Sequence, residues 1–524
     1  MVAWPFVVTD RPGTDAVSYI SIAESWAEGR WGDALNAYWS PLLSWLLVPA
    51  AWIGAPMFPA ALAVSVAIGA FVMWQLRALA EAVGVGPSIS ASLALAAIPF
   101  VLHAAYGLLS PDLLVAALLL GYLTELARVD GDGIEAPAAN PRRGWRIGAW
   151  ASLAFLAKFF ALPFVVAHLV VWSIARRARR RPEDAGLGVA GRTAAVVGVV
   201  VLAWSVPLSI SYGAPTVSTT VTYHLAVADP ASPGNAFWWA GLLEPPNPSA
   251  VSAWEEPSRF PYRYSSVEVG AGDGVPFDGE LPAPAGEVTP SGSSVDRVMS
   301  PDTRADRLVR NARRAAGSVT SIVGAAIVGS VAALAVIVTA RRRASRPIEH
   351  VVTAAMVYTG GVIVSFVERR YLFFVLLLAV VLAGWALERA RARGGRRRLV
   401  AWSTAIVAIT TVPGSVLALT RVAERAEHAS SIGVEDARYV TPGDRVASTG
   451  VRLERFAGTC SRVGCAYLGA PLASDDPAAV LAELEEAGID VVFVLEDPIE
   501  LPPPARRATG APPGVLAVYR IGEG

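Results

Sequence analysis

Long runs of apolar residues, separated by short polar segments rich in arginine, extend to about residue 420 of the 524-residue chain. Several of these runs reach the ~18 residues that an α-helix needs to cross a bilayer. The pattern predicts a mainly α fold, a polytopic bundle of transmembrane helices. The candidate spans are residues 57–80, 90–108, 110–127, 147–175, 191–212, 317–340, 348–366, 371–388 and 399–420.

The arginine-rich segments predict the orientation of the bundle, because short cytoplasmic loops carry an excess of Lys and Arg. Placing these segments inside the cell puts the loop 213–316 and the tail after residue 421 outside. The segment 9–40 then also lies on the outer face. The arginine-rich segments are Arg142–Arg146, Arg176–Arg181, Arg341–Arg343 and Arg389–Arg398.

The apolar stretch 147–175 has an arginine cluster at each end, so an even number of crossings must lie between the clusters. As one helix its residues would extend about 43 Å, which is too short for two full spans and too long for one. We therefore expect two short helices with an outward apex near Lys158–Pro163, where Pro163 interrupts the helix. This gives about ten spans in all. A single tilted helix is the alternative.

The N-terminal segment reads as an incomplete start. Met1–Val8 is apolar but too short to cross a bilayer, which suggests that the first helix is truncated. The next segment predicts an amphipathic helix, and Pro41–Gly54 has the length of a helix that lies in the interface. The apolar positions of the amphipathic helix are Val17, Ile20, Ala23, Ala27 and Trp31. The aromatic residues suited to the headgroup region are Trp26, Trp31, Tyr38, Trp39 and Trp45.

Two other regions differ from the bundle. In the loop 213–316, residues 215–264 are rich in aromatic side chains, whereas 265–300 are rich in Gly, Pro, Ser and acids, which is typical of disorder. After residue 421, short strands and one helix predict a small α/β domain. The strands are expected at Asp444–Thr449, Cys465–Gly469, Val491–Leu495 and Val515–Ile521, and the helix at Pro477–Ala487.

We therefore expect five regions along the chain. They are a first external loop (1–56), an N-terminal transmembrane core (57–212), a long external loop (213–316), C-terminal transmembrane helices (317–420) and an extracytoplasmic α/β domain (421–524). The two cysteines of the chain, Cys460 and Cys465, both fall in the last region. In an oxidising exterior they could form a disulfide that closes a small loop, and reduced thiols are the alternative.

Composition agrees with a membrane protein and excludes one class of partner. Hydrophobic residues make up 54% of the chain and charged residues 17%, and the mean hydropathy is +0.46. The 44 basic and 44 acidic residues balance, so nucleic acid is not an expected partner. The sequence shows neither the pattern of a signal peptide nor an internal repeat.

Lys158 is the only lysine among the 44 basic residues, and it lies inside an apolar stretch. Arginine replaces lysine equally well on a solvated surface, so a general preference for arginine does not explain this position. An unpaired charge in the membrane costs at least about 3 kcal/mol. Lys158 is therefore a candidate functional residue. The alternative is a lysine whose stem packs in the membrane while its ammonium reaches the interface.

Several motifs resemble those of one family. Thr14-Asp15-Ala16-Val17-Ser18-Tyr19 in the first external loop is followed by the proline-containing segment WSPLLSWL. The later motifs are Ser110-Pro111-Asp112-Leu113-Leu114, Leu156-Ala157-Lys158 and Glu368-Arg369-Arg370-Tyr371-Leu372. Their order resembles the GT-C superfamily of membrane glycosyltransferases, of the family 39 type, which includes protein O-mannosyltransferases and aminoarabinose transferases. The chain departs from that family at its start, where a complete first transmembrane helix is expected.

The resemblance implies an enzyme that takes a hexose or pentose from a polyprenyl-phosphate carrier and transfers it with inversion. The acceptor is a hydroxyl of a protein, lipid or cell-wall glycan at the extracytoplasmic face. Such a transfer needs a carboxylate that takes the proton of the acceptor hydroxyl. It also needs fixed cations where the leaving phosphate gains charge.

The same resemblance implies roles for particular residues. Asp15 would be the base, with Asp10 as its rival, and Asp112 a second acid that orients the acceptor or binds a metal. Lys158, with Arg369 or Arg370, would bind the donor phosphate. The supporting residues are Glu368, which would position an arginine, Tyr19 and Tyr371, which would bond to phosphate or sugar, and His103 and Tyr106, which would line the cavity or pack beside it.

The sequence leaves undecided whether the protein binds a metal ion. The five histidines are scattered, and the sequence has no zinc-binding motif. Carboxylates and a phosphorylated donor could still share a divalent ion, Mg²⁺ or Mn²⁺.

Structural and functional alternatives remain beside these hypotheses. Asp15 could cap the following helix, as could Thr14. Asp112 follows Ser110-Pro111, a common start of a helix, where the helix dipole favours an acidic residue. Arg369-Arg370 could have no role beyond anchoring a short outer turn. As a whole, the protein could be a transporter or flippase of lipid-linked sugars, although transporters tend to have related halves. It could also be a non-catalytic membrane scaffold.

Overall fold

The structure is a computed structural model. It describes residues 14–107, 109–131, 142–178, 185–212, 215–218, 346–364, 369–392, 435–448, 456, 459–460, 463, 465–469, 476–486, 488–495 and 499–521. The chain divides into two compact units. The first contains Met1–Val64, Ser205–Pro301 and Thr420–Gly524, and the second contains Ser65–Trp204 and Asp302–Leu419.

The apolar runs form helices close to the predicted bounds. These are α4 (Met57–Ala82), α5 (Pro87–Gly107), α6 (Asp112–Gly131), α7 (Arg142–Ala157), α8 (Ala161–Ala178), α9 (Ala185–Tyr212), α10 (Arg346–Val364) and α11 (Phe373–Ala392). Within the described ranges, four helices are long and apolar enough to cross a membrane: Met57–Ala82, Pro87–Tyr106, Gly188–Ser211 and Arg370–Arg389. The spans predicted at 317–340 and 399–420 lie outside the described residues.

Helix α9 shows why such sequences suit a bilayer. Its apolar side chains at Val199, Leu202, Val206 and Ile210 are exposed and recur every three or four residues, so they share one face of the helix. In water, a continuous apolar face of this kind is rare unless something covers it. Lipid is the solvent that such a face fits.

The stretch 147–175 is broken as predicted, and its first half runs antiparallel to α6. Lys158, after the end of α7, contacts Asp112 at the start of α6. Near the other end of both helices, Arg146 Nη2 lies 2.8 Å from Glu125 Oε1. The two pairs fix the direction of α7 against α6.

Helix α8 returns in the opposite direction. Tyr122 of α6 meets His168 of α8, and Asp130, two turns further along α6, meets Trp172 further along α8. Helix α8 is therefore parallel to α6, and α7 and α8 form a hairpin with Lys158 at its apex. The arginine-rich ends of both helices lie on the same side. The prediction of two helices is confirmed, and the alternative of one tilted helix is wrong.

The N-terminal helices are α1 (Thr14–Ala27), α2 (Trp31–Ala34) and α3 (Pro41–Trp52). An amphipathic helix would leave its polar side exposed, but α1 also buries Ser18, Ser21 and Ser25. The reason is that α1 packs on α3, where Ser44 Oγ donates a 2.8 Å hydrogen bond to the carbonyl oxygen of Tyr19. Serine is small enough to let two helices approach closely.

The C-terminal region contains the predicted α/β fold. The strands are β1 (Arg445–Ser448), β2 (Ala466–Gly469), β3 (Val491–Val494), β4 (Arg506–Arg507) and β5 (Ala517–Arg520), in the order β2-β1-β3-β5-β4. β1 is parallel to β2 and β3, and β5 is antiparallel to β3 and β4. The predicted helix is α12 (Pro477–Glu486), and Gly488 follows it with φ +62°. Strand β4 was not predicted.

The core of this domain lies between the sheet and α12. Val480 and Leu484 of the helix pack with Val492 and Tyr519 of the strands. Cys460 and Cys465 form a disulfide, with their Cα atoms 4.4 Å apart. The fold class predicted from the sequence, a helical bundle with a small α/β domain, is confirmed.

Candidate functional site

Lys158 lies in the short break between α7 and α8. Its N–H still bonds to the carbonyl oxygen of Ala154, and its own carbonyl oxygen accepts a bond from the N–H of Ala161, both at 2.9 Å. The backbone is thus held from both helices while the side chain points to α6. The ammonium donates a 2.5 Å hydrogen bond to Asp112 Oδ1. The side chain of Lys158 is 23% exposed, so the cation is paired but accessible.

Asp112 is the first residue of α6 and is almost entirely buried, with 4% of its side chain exposed. Pro111 precedes it, and the carbonyl oxygen of Pro111 accepts a 2.8 Å bond from the N–H of Val115. A carboxylate at this end of a helix is favoured by the helix dipole. Ser110 Oγ donates a 3.0 Å bond to Asp112 Oδ2. Asp112 therefore begins helix α6, which is the structural alternative predicted for it from the sequence. Its carboxylate also binds the ammonium of Lys158.

A third segment supplies a second cation. The short 3₁₀ helix Arg369–Leu372 brings Arg370 Nε to 3.7 Å from Asp112 Oδ2, and the Arg370 side chain is 21% exposed. Tyr371 lies beside it, with its ring centroid 4.0 Å from Lys158 Nζ and 5.4 Å from Arg370 Cζ. One carboxylate and two cations leave this cluster with a formal charge of +1. Such a cluster can bind an anion.

An aromatic group that sequence reasoning missed lies beside the cluster. Tyr358 of α10 packs edge to face on the rings of Phe160, Phe164 and Phe374, with centroids 5.0 to 5.4 Å apart. Phe160 belongs to the same break between α7 and α8 as Lys158. These rings hold α8, α10 and α11 together where the charged residues meet. A lone tyrosine in an apolar helix gives no signal of this role in the sequence.

Comparison with solved structures gives the fold. The ArnT of Cupriavidus metallidurans bound to undecaprenyl phosphate matches with a TM-score of 0.58 at 17% identity, covering 99% of this chain and 96% of that one. Its apo form matches with a TM-score of 0.56 at 16% identity, over 99% and 95%. An oligosaccharyltransferase of Archaeoglobus fulgidus matches with a TM-score of 0.51 at 14% identity, over 93% and 66%. The chain has the GT-C fold.

No protein-family model and no curated protein sequence matches the chain. At these identities the likeness to the solved structures establishes the fold. The GT-C fold inferred from the order of the motifs is confirmed.

The remaining predicted site residues are described to different extents. Tyr19, on α1, is buried and packs edge to face on Trp39 at 5.4 Å. His103 is partly exposed and Tyr106 buried, both near the end of α5. Asp15 lies in the first turn of α1 and Arg369 in the 3₁₀ helix, and the side chains of both are outside the described set, as are Asp10 and Glu368 entirely.

Helix α1 carries a second acid, Glu24, with an unusual environment. Burial raises the pKa of its carboxyl to about 7 from an ordinary value of 4.5. The negative charge of Glu28 adds to this rise, and Arg30 opposes it. Near neutral pH, Glu24 is therefore partly protonated.

A second polar network ties helices of the GT-C bundle together. Tyr122 Oη lies 3.1 Å from His168 Nδ1, and His350 Nε2 lies 2.8 Å from Asp130 Oδ2, which also accepts a 3.4 Å bond from Trp172. Asp130 is about 27 Å along α6 from Asp112. Hydrogen bonds of this kind stabilise packed transmembrane helices. The network joins α6, α8 and α10 at the end away from Lys158.

The described residues do not bring together three His, Cys, Asp or Glu side chains that could hold a metal ion. Both oxygens of Asp112 are already engaged, by Lys158 on one side and by Ser110 and Arg370 on the other. In this arrangement the carboxylate fits a counter-ion to two cations better than it fits a metal ligand.

Proposed function

We propose that the protein is an integral-membrane glycosyltransferase. It would move a sugar from a polyprenyl-phosphate donor to an acceptor hydroxyl at the extracytoplasmic face, with inversion. The observation that carries this proposal is the pairing of Lys158 and Arg370 on the buried carboxylate of Asp112, within a GT-C fold.

The cluster has the properties that a leaving phosphate requires. In the transfer, the bond between the anomeric carbon and the phosphate oxygen breaks, and the oxygen keeps the electron pair. The lipid phosphate therefore gains negative charge, which fixed cations stabilise without rearranging. Lys158 uses one of its three donors on Asp112, and Arg370 contacts Asp112 through Nε. Further donors of Lys158 can bind phosphate oxygens, and Arg370 adds a second positive charge beside them.

Asp112 would act as the counter-ion that holds the two cations in place. Two cations of this kind repel each other, and in a largely apolar setting each is costly to desolvate. A carboxylate between them removes most of that cost while leaving the cluster positive. In this assignment Asp112 positions the phosphate-binding side chains and does not take up the acceptor proton.

The acceptor proton needs another carboxylate, and Asp15 is our proposed base. The acceptor oxygen would form its bond to the anomeric carbon as its proton passes to the Asp15 carboxylate, and the polyprenyl phosphate leaves from the opposite face. The products are the glycosylated acceptor, the lipid phosphate and a protonated Asp15. Removal of the carboxylate would stop the transfer, because general bases contribute about 10²- to 10⁴-fold to such rates.

The solved neighbours support a lipid phosphate as the ligand. One is the ArnT of Cupriavidus metallidurans bound to undecaprenyl phosphate, and another is the Archaeoglobus fulgidus AglB with an inhibitory peptide and a dolichol-phosphate. The hairpin supports the proposed outward face, because its arginine-rich ends lie on the side away from Lys158. The positive-inside rule favours the cytoplasm for the arginine-rich side, which would place Lys158 at the opposite face.

The proposal is tested by sugar release from purified protein in lipid nanodiscs, with a panel of undecaprenyl-phosphate sugars and hydroxyl acceptors. We expect turnover with at least one donor, and loss of that turnover in Asp15→Asn. Glu28→Gln, a neutralised acid on an exposed position after the same helix, should retain it. A folded wild type that turns over no donor, but moves lipid-linked sugars between leaflets, would identify a flippase. A folded wild type that shows neither of these activities would indicate a scaffold.

A further inference from the structure

The ammonium of Lys158 is enclosed on two sides by groups of different kinds. Asp112 Oδ1 accepts its hydrogen bond at 2.5 Å, and the face of the Tyr371 ring lies 4.0 Å from the same nitrogen. The electron-rich face of an aromatic ring attracts the positive charge of a cation, and Asp112 accepts only one of the three hydrogen-bond donors of the ammonium. The lysine is therefore fixed in place with donors to spare.

The 3₁₀ helix is built to present that ring. Leu372 and Phe374, which follow Tyr371, are almost fully buried and hold the turn against the bundle. Arg370 and Tyr371 themselves are only partly buried. The chain thus packs on the bundle through Leu372 and Phe374 and leaves Arg370 and Tyr371 partly exposed beside Lys158.

We propose that Tyr371 is a positioning residue whose ring makes this point of the site specific for lysine. The proposal rests on the proposed function, because it assigns the ring a role in binding the donor phosphate through Lys158. It accounts for the one lysine in a chain that uses arginine at every other basic position.

The geometry explains why arginine would not serve equally at position 158. A guanidinium is planar and presents a fork that binds a carboxylate through two parallel bonds. Between Asp112 and the Tyr371 ring it would stack on the ring and direct its fork to the carboxylate. An ammonium is compact, contacts both groups at one point and leaves its remaining donors toward an incoming phosphate.

The test measures binding of undecaprenyl phosphate to the full chain in nanodiscs. We expect Tyr371→Leu to bind about threefold to thirtyfold more weakly than Tyr371→Phe, because only the phenylalanine keeps an aromatic ring beside Lys158. Lys158→Arg should weaken binding strongly in the wild type but much less in Tyr371→Leu, because the ring no longer selects between the two cations. Trp385→Leu is the matched control: it removes a ring 5.2 Å from Arg389 on the same helix α11 and should leave binding unchanged.

A second series avoids a change of shape. Phenylalanines with one to four ring fluorines at position 371 keep the packing and progressively weaken the attraction for a cation, so the Kd should rise step by step. A flat series, or equal binding by Tyr371→Leu and the wild type, would overturn the proposal, as would equal losses in Tyr371→Phe and Tyr371→Leu.

Failure of the proposed function gives a different result. A wild type that binds undecaprenyl phosphate but transfers no sugar would overturn the function, and the fluorine series would still decide the role of Tyr371. A wild type that does not bind undecaprenyl phosphate would overturn both.

Discussion

The carboxylate of Asp112 and the ammonium of Lys158 come from positions 46 residues apart and meet at 2.5 Å. The contact joins the first residue of α6 to the apex of the α7–α8 hairpin. Each group makes the other tolerable in an apolar setting, and neither is free to act as an isolated acid or base. The pair sets the expected behaviour of variants at both positions.

Asp112→Asn should destabilise the fold as well as the site. It leaves Lys158 and Arg370 without their counter-ion, and removing one partner of a buried ion pair costs about 3 kcal/mol or more, less where the other partner is solvated. We expect a loss of roughly 2 to 3 kcal/mol, measured by denaturation in detergent. Donor binding should weaken too. The matched variant Asp436→Asn lies outside the cluster, and an equal effect on donor binding there would contradict the assignment.

Lys158→Met should raise the donor KM and also lower kcat, because the ammonium would bind the donor phosphate and stabilise the charge that the phosphate gains as it leaves. The change roughly keeps the length of the side chain and removes the charge, so among the described residues Asp112 keeps Arg370 and Ser110 as partners. A charge-assisted bond to phosphate is worth about 1.5 to 3 kcal/mol, or tenfold to a hundredfold in KM. Lys158→Arg should restore only part of the donor affinity that Lys158→Met loses. Steady-state kinetics over donor concentration decide the matter, and an unchanged KM in Lys158→Met would remove the phosphate assignment.

The hairpin predicts which surfaces of α7 and α8 face the cytoplasm. A single cysteine placed at Arg143 or at Arg177 should react with an impermeant maleimide only from the cytoplasmic side. The native Cys460 and Cys465 are joined and do not react without a reductant, so they need not be replaced. Labelling of the two positions from opposite sides would contradict the hairpin. Labelling of both from outside would reverse the proposed orientation.

Glu24 predicts a pH dependence of stability. Its folded pKa of about 7 lies above the ordinary value of 4.5, so the folded state binds more protons between these values. Stability is highest below pH 4.5 with respect to this group and falls as the pH rises through 7. The full change is up to ~3 kcal/mol. Glu24→Gln should remove this part of the dependence and stabilise the protein at pH 8. Identical unfolding profiles of the variant and wild type across pH 5 to 8 would show that Glu24 is not responsible.

The sequence contained enough information for the hairpin but not for its contacts. Arginine clusters on both sides of 147–175 allow only an even number of crossings, and the length of the stretch together with Pro163 placed the break near Lys158. That Lys158 meets Asp112 depends on how α6 and α7 pack, which no local pattern encodes. Tyr358 and the network around His168 were missed for a related reason. One polar residue in an apolar helix looks the same whether it is isolated or paired.

Two smaller differences have local causes. The hydrophobic pattern of α1 placed its polar side in solvent, because periodicity records which residues are apolar and not which polar residues are small enough to bury. Ser18, Ser21 and Ser25 are of that size. Strand β4 consists of only Arg506 and Arg507, which lie just after a proline-rich run, and two residues give no alternation to detect.

The hairpin also bears on how the chain enters the membrane. When a helical hairpin inserts, one helix enters the membrane and the next helix returns to the same side. The arginine-rich ends of α7 and α8 would then both stay on the side from which the hairpin inserts, and neither end would be translocated. Within the hairpin, the ammonium of Lys158 is the charge that would be carried through the lipid. Its partner Asp112 is synthesised 46 residues earlier, at the start of the preceding helix. In the proposed orientation, the cation of this hairpin would therefore reach a face where its counter-ion is already in place.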